Sequence, residues 1–453
     1  MKILCGLKSG ALLQRDENNV CKCFFRAEIK GKVSTSLGKI IKNDGDMYEL
    51  KGIPVGGPYS FSLSDDDSQV EFADIYVGDL WLLAGQSNME GAGKMRDSQL
   101  IYDEKPEESI RAYYMNERWG VAKSQLHQLW ESADDCISTF YRKCRRESPW
   151  GDECPKIQDG GVGPGLYFAL EMQKRMGGVP QGVIPCGVGG ANLWQWSPNG
   201  EDNYYVAAKR RFYECGGNIK GIFWYQGEAQ CYSDGCKSFV SDMKTLVKGF
   251  RRDFGVQTLP FVQVQINKYH AATIETDEAW TKIRELQRTL EKEIDNLATV
   301  YSNDCELDDL IHLSSESHLK IGKRAAEAMS VLTGGDGVSS PDFAGFEIVQ
   351  DDYVPFRVNV KVNFRNVIGR LKSLGVPNGF FMMENPSEPI REIARVILEG
   401  NTARLIVEID PQKIKDYYVC YAWGNTYYCN ITDEKDRAIP GFGPLKIADY
   451  LKM

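Results

Sequence analysis

The stretch LLAGQSNM at residues 82–89 is the segment most informative about the fold of this chain. Its apolar run ends at Gly85, and Ser87 follows two positions later among small polar residues. This pattern predicts a buried strand that ends at the rim of a sheet, just before a helix begins. A serine in such a turn is either a capping residue or a nucleophile, and a nucleophile needs a base and an orienting carboxylate.

The composition is that of an ordinary globular protein with an acidic surface. With 453 residues the chain exceeds the usual size of one hydrophobic core, which predicts two or three domains. The net charge of -9 argues against a nucleic-acid partner, because phosphate binding requires a basic face. No apolar run reaches the roughly 20 residues that a membrane helix needs, so we expect no membrane partner either.

The 13 cysteines are odd in number and irregular in spacing, which argues against a disulfide framework. Cys21 and Cys23 have no second pair nearby at the spacing of a zinc site. We therefore expect reduced thiols, no metal and no other cofactor. The N-terminal apolar stretch is too short for a signal peptide, so we expect a cytoplasmic protein, with secretion as the alternative if a signal has been removed.

Three regions differ in the pattern of their apolar residues. Residues 1–75 alternate short β-rich segments with glycine and asparagine turns and predict a β-sandwich-like domain. Residues 76–335 alternate strands with amphipathic helices, which predicts a parallel sheet covered on both sides, a three-layer α/β/α sandwich. Residues 336–453 predict a C-terminal β-rich domain. The predicted central strands lie at 80–83, 183–188, 219–224, 261–266 and 298–301, and the predicted helices at 237–254, 277–294 and 315–332.

The loops after the predicted central strands hold the groups that acyl transfer requires. The backbone N–H groups of Gly189-Gly190 can approach a ligand and donate to an oxyanion. The side-chain amide of Gln226 offers a further donor. Asp309 and His312 supply a carboxylate and an imidazole three positions apart. Because the carboxyl ends of parallel strands meet at one edge of a sheet, we expect these groups to lie beside Ser87.

Each of these features also has an ordinary structural explanation. Gly189-Gly190 can form a plain turn, Gln226 can be a surface residue, and His312 can contact the start of the next helix. Asp308 is an alternative to Asp309 as the residue that orients the imidazole. The presence of all four features at successive strand ends favours a catalytic interpretation over four separate coincidences.

These segments resemble the sequence blocks of the SGNH hydrolases, and within them the carbohydrate O-acetylesterases of the sialate O-acetylesterase type. The resemblance rests on GQSNM at 85–89, Gly189-Gly190, QGE at 226–228 and the spacing of Asp309 and His312. Segments near both ends of the chain are similar to the β regions of that family. The resemblance implies an α/β/α catalytic domain and metal-independent removal of acetyl groups from sugars.

The residues and the resemblance together give each side chain a predicted role. Ser87 attacks the acetyl carbonyl, His312 accepts its proton, and Asp309 orients the imidazole. The predicted oxyanion hole consists of the backbone N–H groups of Ser87, Gly189 and Gly190 and the amide of Gln226. The predicted substrate contacts are Asn88, Glu228, Trp194 and Trp196.

The predicted partner is an acetylated mono- or oligosaccharide, and sialic acid, xylan fragments and mannan fragments all remain open. Lys94 or Arg210-Arg211 in the site would favour an acidic sugar. Two alternatives are a general lipase or esterase of the same superfamily and a non-catalytic carbohydrate-binding protein. The residues do not indicate an oligomeric state.

Further expectations concern the other histidines and one unfamiliar segment. His127 and His270 are candidates for lining the cleft, and His318 is expected on an exposed helix turn. The segment 97–160 is rich in charged and aromatic residues and is expected to form a loop on the substrate side.

Overall fold

The computed structural model describes residues 1–94, 107–139, 161–270, 276–351, 353–355, 357–386 and 393–451. Residues 97–106 and 140–160 of the predicted substrate-side loop lie outside the described residues. The prediction of a loop is wrong for part of the remainder, because Ile110–Tyr113 and Trp119–Val121 form strands. The α-helices with described bounds are α1 (Ser87–Glu90), α2 (Pro164–Arg175), α3 (Tyr204–Glu214), α4 (Ser233–Asp253), α5 (Asp277–Thr289) and α6 (Ser315–Leu332). Short 3-10 helices span Leu129–Glu131, Leu193–Trp196, Glu228–Gln230, Leu290–Lys292, Ile414–Asp416 and Ile447–Tyr450.

The N-terminal region is built from short, mostly antiparallel strands, and the longer ones, such as Val20–Glu28, alternate buried residues with more exposed ones. Its strands are β1 (Lys2–Cys5), β2 (Leu12–Gln14), β3 (Val20–Glu28), β4 (Ser34–Thr35), β5 (Lys39–Lys42), β6 (Met47–Pro54) and β7 (Gly56–Ser64). Four of them form a sheet in the order β1-β3-β6-β5, while β4 pairs with β7. The buried side chains of this region form a cluster of their own, which includes Phe25, Leu50 and Leu63.

A largely parallel sheet occupies the middle of the chain. Its strands are β8 (Gln69–Gly85), β9 (Ile110–Tyr113), β10 (Trp119–Val121), β11 (Gln181–Pro185), β12 (Gly221–Tyr225), β13 (Phe261–Gln265) and β14 (Leu297–Tyr301). They follow the order β10-β9-β11-β8-β12-β13-β14, with only the β9–β10 pair antiparallel. Every residue from Ile75 to Gly85 is buried, as expected for a central strand covered on both faces.

Strand β8 joins the N-terminal region to the central sheet. Its first half pairs with β7 and β2, and its second half pairs in parallel with β11 and β12. The strand therefore runs without a break across the predicted domain boundary between residues 75 and 76. That boundary and the one near 335 remain predictions, as does the arrangement of the central part in three layers.

The helices confirm the sequence patterns where the apolar spacing is regular. Helix α4 buries Phe239, Met243 and Phe250 on the predicted face, and α6 buries Ile321 and Met329. Helices α2 and α3 were not predicted. Helix α2 begins with Pro164-Gly165, a pair typical of turns, although proline is well suited to the first turn of a helix.

The C-terminal region is β-rich, as predicted. Its strands are β15 (Asp342–Gln350), β16 (Val358–Arg365), β17 (Lys372–Ser373), β18 (Phe380–Met383), β19 (Arg395–Glu399), β20 (Thr402–Val407), β21 (Tyr418–Tyr421), β22 (Ile431–Thr432) and β23 (Phe442–Lys446). They form the sheets β15-β16-β20-β19, β18-β21-β23 and β17-β22. A separate cluster of buried apolar side chains, which includes Val360, Leu405 and Phe442, forms the core of this region.

Buried polar contacts hold the C-terminal region against the central sheet. The guanidinium of Arg284 donates to the carbonyl oxygens of Ala422, at 2.8 Å, and of Gly424. The side-chain amide of Gln265 donates to Gly441 O at 2.8 Å and accepts from Gly441 N at 2.9 Å. Because buried donors that lose their acceptors are costly, these contacts fix the position of the region. Among the described residues, no helix has the length and apolar character that crossing a membrane requires.

Gly85 provides a test of how tightly β8 and β12 are packed. Its φ is +136°, and a Cβ at this position would lie 2.0 Å from the carbonyl oxygen of Tyr225. We expect Gly85→Ala to lower the free energy of unfolding by more than about 2 kcal/mol, measured by urea denaturation. Gly255→Ala is the matched control, since Gly255 has a φ of +73° and no atom within 4 Å of the added methyl group. Equal losses in the two variants would contradict the packing argument.

Candidate active site

Ser87 begins α1 directly after the central strand. Gln86 N donates to Tyr225 O at 2.8 Å, and Val188 N donates to Gly85 O at 3.2 Å, so both neighbouring strand ends hold the turn. Ser87 is half-buried, and its backbone N–H lies in the first turn of α1, where a helix offers no acceptor. The structure therefore places a partly exposed hydroxyl at the carboxyl edge of the parallel sheet.

Asp309 and His312 contact each other at the tip of a hairpin that follows β14. His312 Nδ1 lies 2.7 Å from Asp309 Oδ2, and Asp309 Oδ1 accepts from the backbone N–H of His312 at 2.7 Å and of Ile311 at 2.8 Å. Burial raises the pKa of the Asp309 carboxyl, but these hydrogen bonds outweigh burial and leave the pKa below its usual value. A charged carboxylate favours a proton on Nδ1, which leaves Nε2 as the proton acceptor.

Asp308, the alternative orienting residue, has a different contact. Its Oδ2 accepts from the backbone N–H of Lys94 at 2.7 Å, and the carbonyl oxygen of Lys94 accepts from Ser315 Oγ at 2.7 Å. The ring of His312 is therefore paired with Asp309, while Asp308 helps to hold the segment that follows α1.

Asn88 connects the turn of Ser87 to the hairpin of His312. Its Oδ1 accepts from Leu313 N at 3.0 Å, and its Nδ2 donates to Glu228 Oε1 at 2.8 Å and to Ile311 O at 3.5 Å. The two backbone contacts lie on either side of His312. Because Asn88 is only 1 % exposed, the structure uses its side chain to join loops rather than to face a sugar, which differs from its predicted substrate contact.

Glu228 adds a second carboxyl group to the same cluster. Burial raises its pKa, while the hydrogen bond from Asn88 and the charge of His312 lower it in part. Its Oε2 is buried and has no hydrogen-bond partner among the described residues. The predicted substrate contact of Glu228 stays a prediction.

Gly189 lies between Ser87 and a residue that the sequence analysis missed, Glu90. A Cβ on Gly189 would lie 2.8 Å from Glu90 Oε2 and 3.8 Å from Ser87 Cβ. Burial raises the pKa of Glu90 to about 8, although a hydrogen bond from the Gly189 N–H to its carboxyl lowers it. Gly190 has a φ of +69° and faces open space. The available signal for Glu90 was a charged residue one turn after the nucleophile.

Gln226 is fully buried behind the loop that contains Gly189. Its Nε2 donates to Ala191 O at 3.2 Å and to Gln230 Oε1 at 3.1 Å. Both amide hydrogens therefore have acceptors within the protein, and its predicted role as an oxyanion donor requires one of these bonds to break. Gln86 has a similar joining role, because its Oε1 accepts from the backbone N–H of Gly227 at 3.3 Å and of Ala229 at 3.2 Å.

The two predicted aromatic contacts have opposite environments. Trp196 is fully buried and packs edge-on against Trp224, with ring centroids 5.2 Å apart. A ring without exposed surface cannot stack on a sugar, so the predicted contact of Trp196 does not agree with the structure. Trp194 lies on the same 3-10 helix and is 70 % exposed, because side chains two residues apart on such a helix point in different directions.

The remaining histidines are placed as follows. His270 is exposed, whereas His127 and His318 are buried, and burial lowers the pKa of each of these two to about 3. The prediction of an exposed helix turn for His318 is wrong, because this face of α6 packs beneath Gly93, where a Cβ would lie 3.1 Å from His318 Cδ2.

Two of the basic residues considered for an acidic sugar, Arg210 and Arg211, have other partners, whereas Lys94 is exposed. Arg210 pairs with Asp134, at 2.8 Å, and with Glu117. Arg211 is fully buried and donates to the carbonyl oxygen of Tyr113 at 2.5 Å. The backbone of Lys94 is bound on both sides, as described above.

Comparisons with known proteins identify the class of protein to which this chain belongs. A family model described as "Carbohydrate esterase, sialic acid-specific acetylesterase" matches residues 77–331, more than half of the chain. The chain belongs to this family of carbohydrate esterases. A probable carbohydrate esterase of Arabidopsis thaliana is 27% identical to it over 285 residues, which cover 59% of this chain and 96% of that protein.

The fold is shared over a longer stretch than the family match. The crystal structure of a carbohydrate acetylesterase from Xanthomonas citri aligns with a TM-score of 0.70 and 18% sequence identity, covering 97% of this chain and 99% of that chain. At this identity the likeness concerns the fold alone. It extends over the N-terminal and C-terminal β-rich regions, which lie outside the family match.

The position of Asn88 leads to a prediction about rate. We expect Asn88→Ala to lower kcat on the order of 10²-fold with a smaller change in KM, because the hairpin of His312 loses both backbone contacts. Steady-state hydrolysis of an aryl acetate measures both constants. Asn363→Ala is the control, since Asn363 is a buried asparagine of the C-terminal region that accepts from Thr402 Oγ1 at 2.8 Å. A loss of kcat in the control that equals the loss in Asn88→Ala would contradict a positioning role.

The position of Glu90 leads to a prediction about pH. With its pKa raised to about 8, the carboxyl is neutral below that pH and charged above it. A charged carboxylate would hold the Gly189 N–H and place negative charge beside Ser87. We expect kcat/KM of the native protein to fall as pH rises through about 8, and Glu90→Gln to lack this fall, in profiles corrected for spontaneous hydrolysis. The same alkaline fall in both proteins would refute the assignment.

Proposed function

We propose that the protein removes O-acetyl groups from sugars through an acyl-enzyme formed on Ser87. His312 is the general base in this proposal, and Asp309 orients it. The observation that best supports the proposal is the contact of Asn88, the residue next to Ser87, with the backbone on both sides of His312. Together with the bond between His312 and Asp309, this contact supports a common site for Ser87 as nucleophile, His312 as base and Asp309 as the orienting carboxylate.

In the first step, His312 Nε2 accepts the proton of Ser87 Oγ as the oxygen attacks the acetyl carbonyl. A bond forms between Oγ and the carbonyl carbon, and the carbonyl oxygen becomes an oxyanion. Asp309 stays ionised and stabilises the imidazolium. As the tetrahedral intermediate collapses, the proton on Nε2 passes to the sugar oxygen, which leaves as an alcohol.

In the second step, water takes the place of the sugar. His312 accepts a proton from the water as it attacks the acetyl-enzyme, and then returns the proton to Ser87 Oγ as acetate leaves. Over the full cycle Ser87 and His312 return to their starting protonation states, and the acetyl group leaves as acetate. No group beyond these side chains and water enters either step.

The proposed oxyanion donors are the backbone N–H groups of Ser87 and of Gly189 or Gly190. Gly189 is supported by its place beside Ser87, and its N–H must leave the carboxyl of Glu90 in order to donate to an oxyanion. The amide of Gln226 donates to Ala191 O and so holds the glycine loop in place. To donate to the oxyanion directly, the amide would have to turn toward the ligand during the reaction. Removal of one direct donor of this kind costs on the order of 10²–10³ in rate.

The acetyl group and the sugar are proposed from the family description and the relatives. The family description names a sialic acid-specific acetylesterase, and the relatives described above are named as carbohydrate esterases. Acetylated sialic acid is therefore one candidate substrate, and acetylated oligosaccharides of other sugars are the second. The partly exposed Ser87 and the exposed ring of Trp194 beside the glycine loop support a sugar substrate that approaches from the surface.

Three variants test the proposal on an aryl acetate. We expect Ser87→Ala and His312→Ala to lose more than about 10³-fold in kcat, and Asp309→Asn to lose on the order of 10²–10⁴-fold, because the wrong tautomer is then favoured. Ser241→Ala is the matched control, since its hydroxyl lies on the exposed side of α4 and donates only to Ser238 O. Undiminished turnover by Ser87→Ala would refute the assignment of the nucleophile.

A separate measurement tests the acyl and sugar preferences. Acetate release is followed from acetylated sialic acid, acetylated xylo-oligosaccharides and acetylated manno-oligosaccharides, and aryl esters of increasing acyl length are compared. We expect the acetyl ester to be the best aryl substrate and at least one sugar to exceed it in kcat/KM. A preference for long acyl chains would favour a general lipase or esterase instead, and sugar binding without any hydrolysis would favour a non-catalytic protein.

A further inference from the structure

A cavity of about 470 Å³ lies where the carboxyl edge of the central sheet meets the C-terminal β region. The central part contributes Lys268, which follows β13, and Glu306 and Ser314, which follow β14. The C-terminal region contributes Leu374, Tyr428 and Asn430. The family match ends at residue 331, so one wall of the cavity consists of residues outside it.

The cavity lies at the base of the hairpin that has His312 at its tip. Ser314 N donates to Glu306 O at 3.0 Å, and Asp308 N donates to His312 O at 2.9 Å, so the two sides of the hairpin are paired. Ser314 and His312 are two residues apart along an extended segment, a separation of about 7 Å. The lining of the cavity therefore comes within two residues of His312 along the chain.

The C-terminal wall is fixed to the central rim by hydrogen bonds. Tyr269 N donates to Asn425 O at 3.0 Å, and Tyr427 OH donates to Asn267 Oδ1 at 3.2 Å. Asn430 Nδ2 donates to Leu374 O at 2.8 Å, which joins the two parts of the wall. The neighbours of Tyr428 are thus held in place.

Tyr428 itself presents its ring to the cavity. Its side chain is 57% exposed, and Leu374 beside it is 88% exposed. An exposed aromatic ring in such a lining offers an apolar surface with a polar hydroxyl at its end. Concave sites of this kind, with an aromatic wall and a few polar groups, bind small organic ligands.

The charges around the cavity are close to balanced. Its lining includes three lysines and four carboxylate side chains. One of the carboxylates, Asp304, is already paired with Arg324 at 2.7 Å. Little net charge remains to attract a strongly anionic or cationic ligand, whereas donors and acceptors of both kinds suit the hydroxyl groups of a neutral sugar.

We propose that this cavity binds a second, neutral sugar residue of the substrate, joined to the acetylated sugar at Ser87, with Tyr428 as its stacking surface. The enzyme then prefers an acetylated oligosaccharide to an acetylated monosaccharide. This inference rests on the proposed function, because it assigns the cavity to the same substrate.

The test compares Tyr428→Ala with the native protein on three substrates: an aryl acetate, an acetylated monosaccharide and an acetylated oligosaccharide of the same sugar. We expect native kcat/KM to be higher for the oligosaccharide than for the monosaccharide. Tyr428→Ala should lower kcat/KM for the oligosaccharide about tenfold, through KM, because the stacking surface is lost. The aryl acetate and the monosaccharide should change by less than about twofold.

Two further variants control for structure. Tyr428→Phe keeps the ring and should keep most of the oligosaccharide preference. Tyr353→Ala removes another exposed tyrosine of the C-terminal region, one that is not part of the cavity lining, and it should leave all three substrates unaffected. A native protein without oligosaccharide preference, or an equal loss of activity by Tyr428→Ala on all three substrates, would overturn the inference. Failure of the proposed function is distinguished by the absence of native aryl acetate hydrolysis, or by its persistence in Ser87→Ala.

Discussion

The close approach of Gly85 to the carbonyl oxygen of Tyr225 is the constraint on which the candidate site depends. It ends β8 and β12 side by side, in parallel register, at the same edge of the sheet. Gln86 can then donate to Tyr225 O, and Ser87 begins a helix at the rim rather than within the sheet. A side chain at position 85 would separate the two strand ends and displace the hydroxyl with them, so a single small residue links the packing of the core to the chemistry of the site.

Buried amide side chains hold the loops at this edge together. Asn88 joins the turn of Ser87 to the hairpin of His312, and Gln86 joins the same turn to the backbone at Gly227. Gln226, directly after β12, is joined to the glycine loop through Ala191 O. A buried amide that loses a partner is costly, so each of these contacts restricts the loops to one arrangement. The same reasoning applies to the C-terminal region, where the buried guanidinium of Arg284 donates to the backbone carbonyl oxygens of Ala422 and Gly424.

Local patterns were sufficient to predict the central strands other than β9 and β10, the regular helices and the pairing of Asp309 with His312, because these depend on residues close together in sequence. Contacts that depend on distant residues were not predictable. Trp196 and His318 are buried by elements that no local pattern places next to them, and the amide of Gln226 is used inside the protein. Helix α2 was missed because proline and glycine at its start resemble a turn. The role assigned to Glu90 depends on its contact with Gly189, a residue that is distant in sequence.

The most direct test of the account is the site of covalent modification by a fluorophosphonate probe, which reacts with activated serines. After labelling and digestion, mass spectrometry identifies the modified peptide. The account predicts a single adduct on Ser87, a strong reduction of its rate in His312→Ala, and no adduct in Ser87→Ala. An adduct on a different serine, or equal labelling of the native protein and Ser87→Ala, would contradict it.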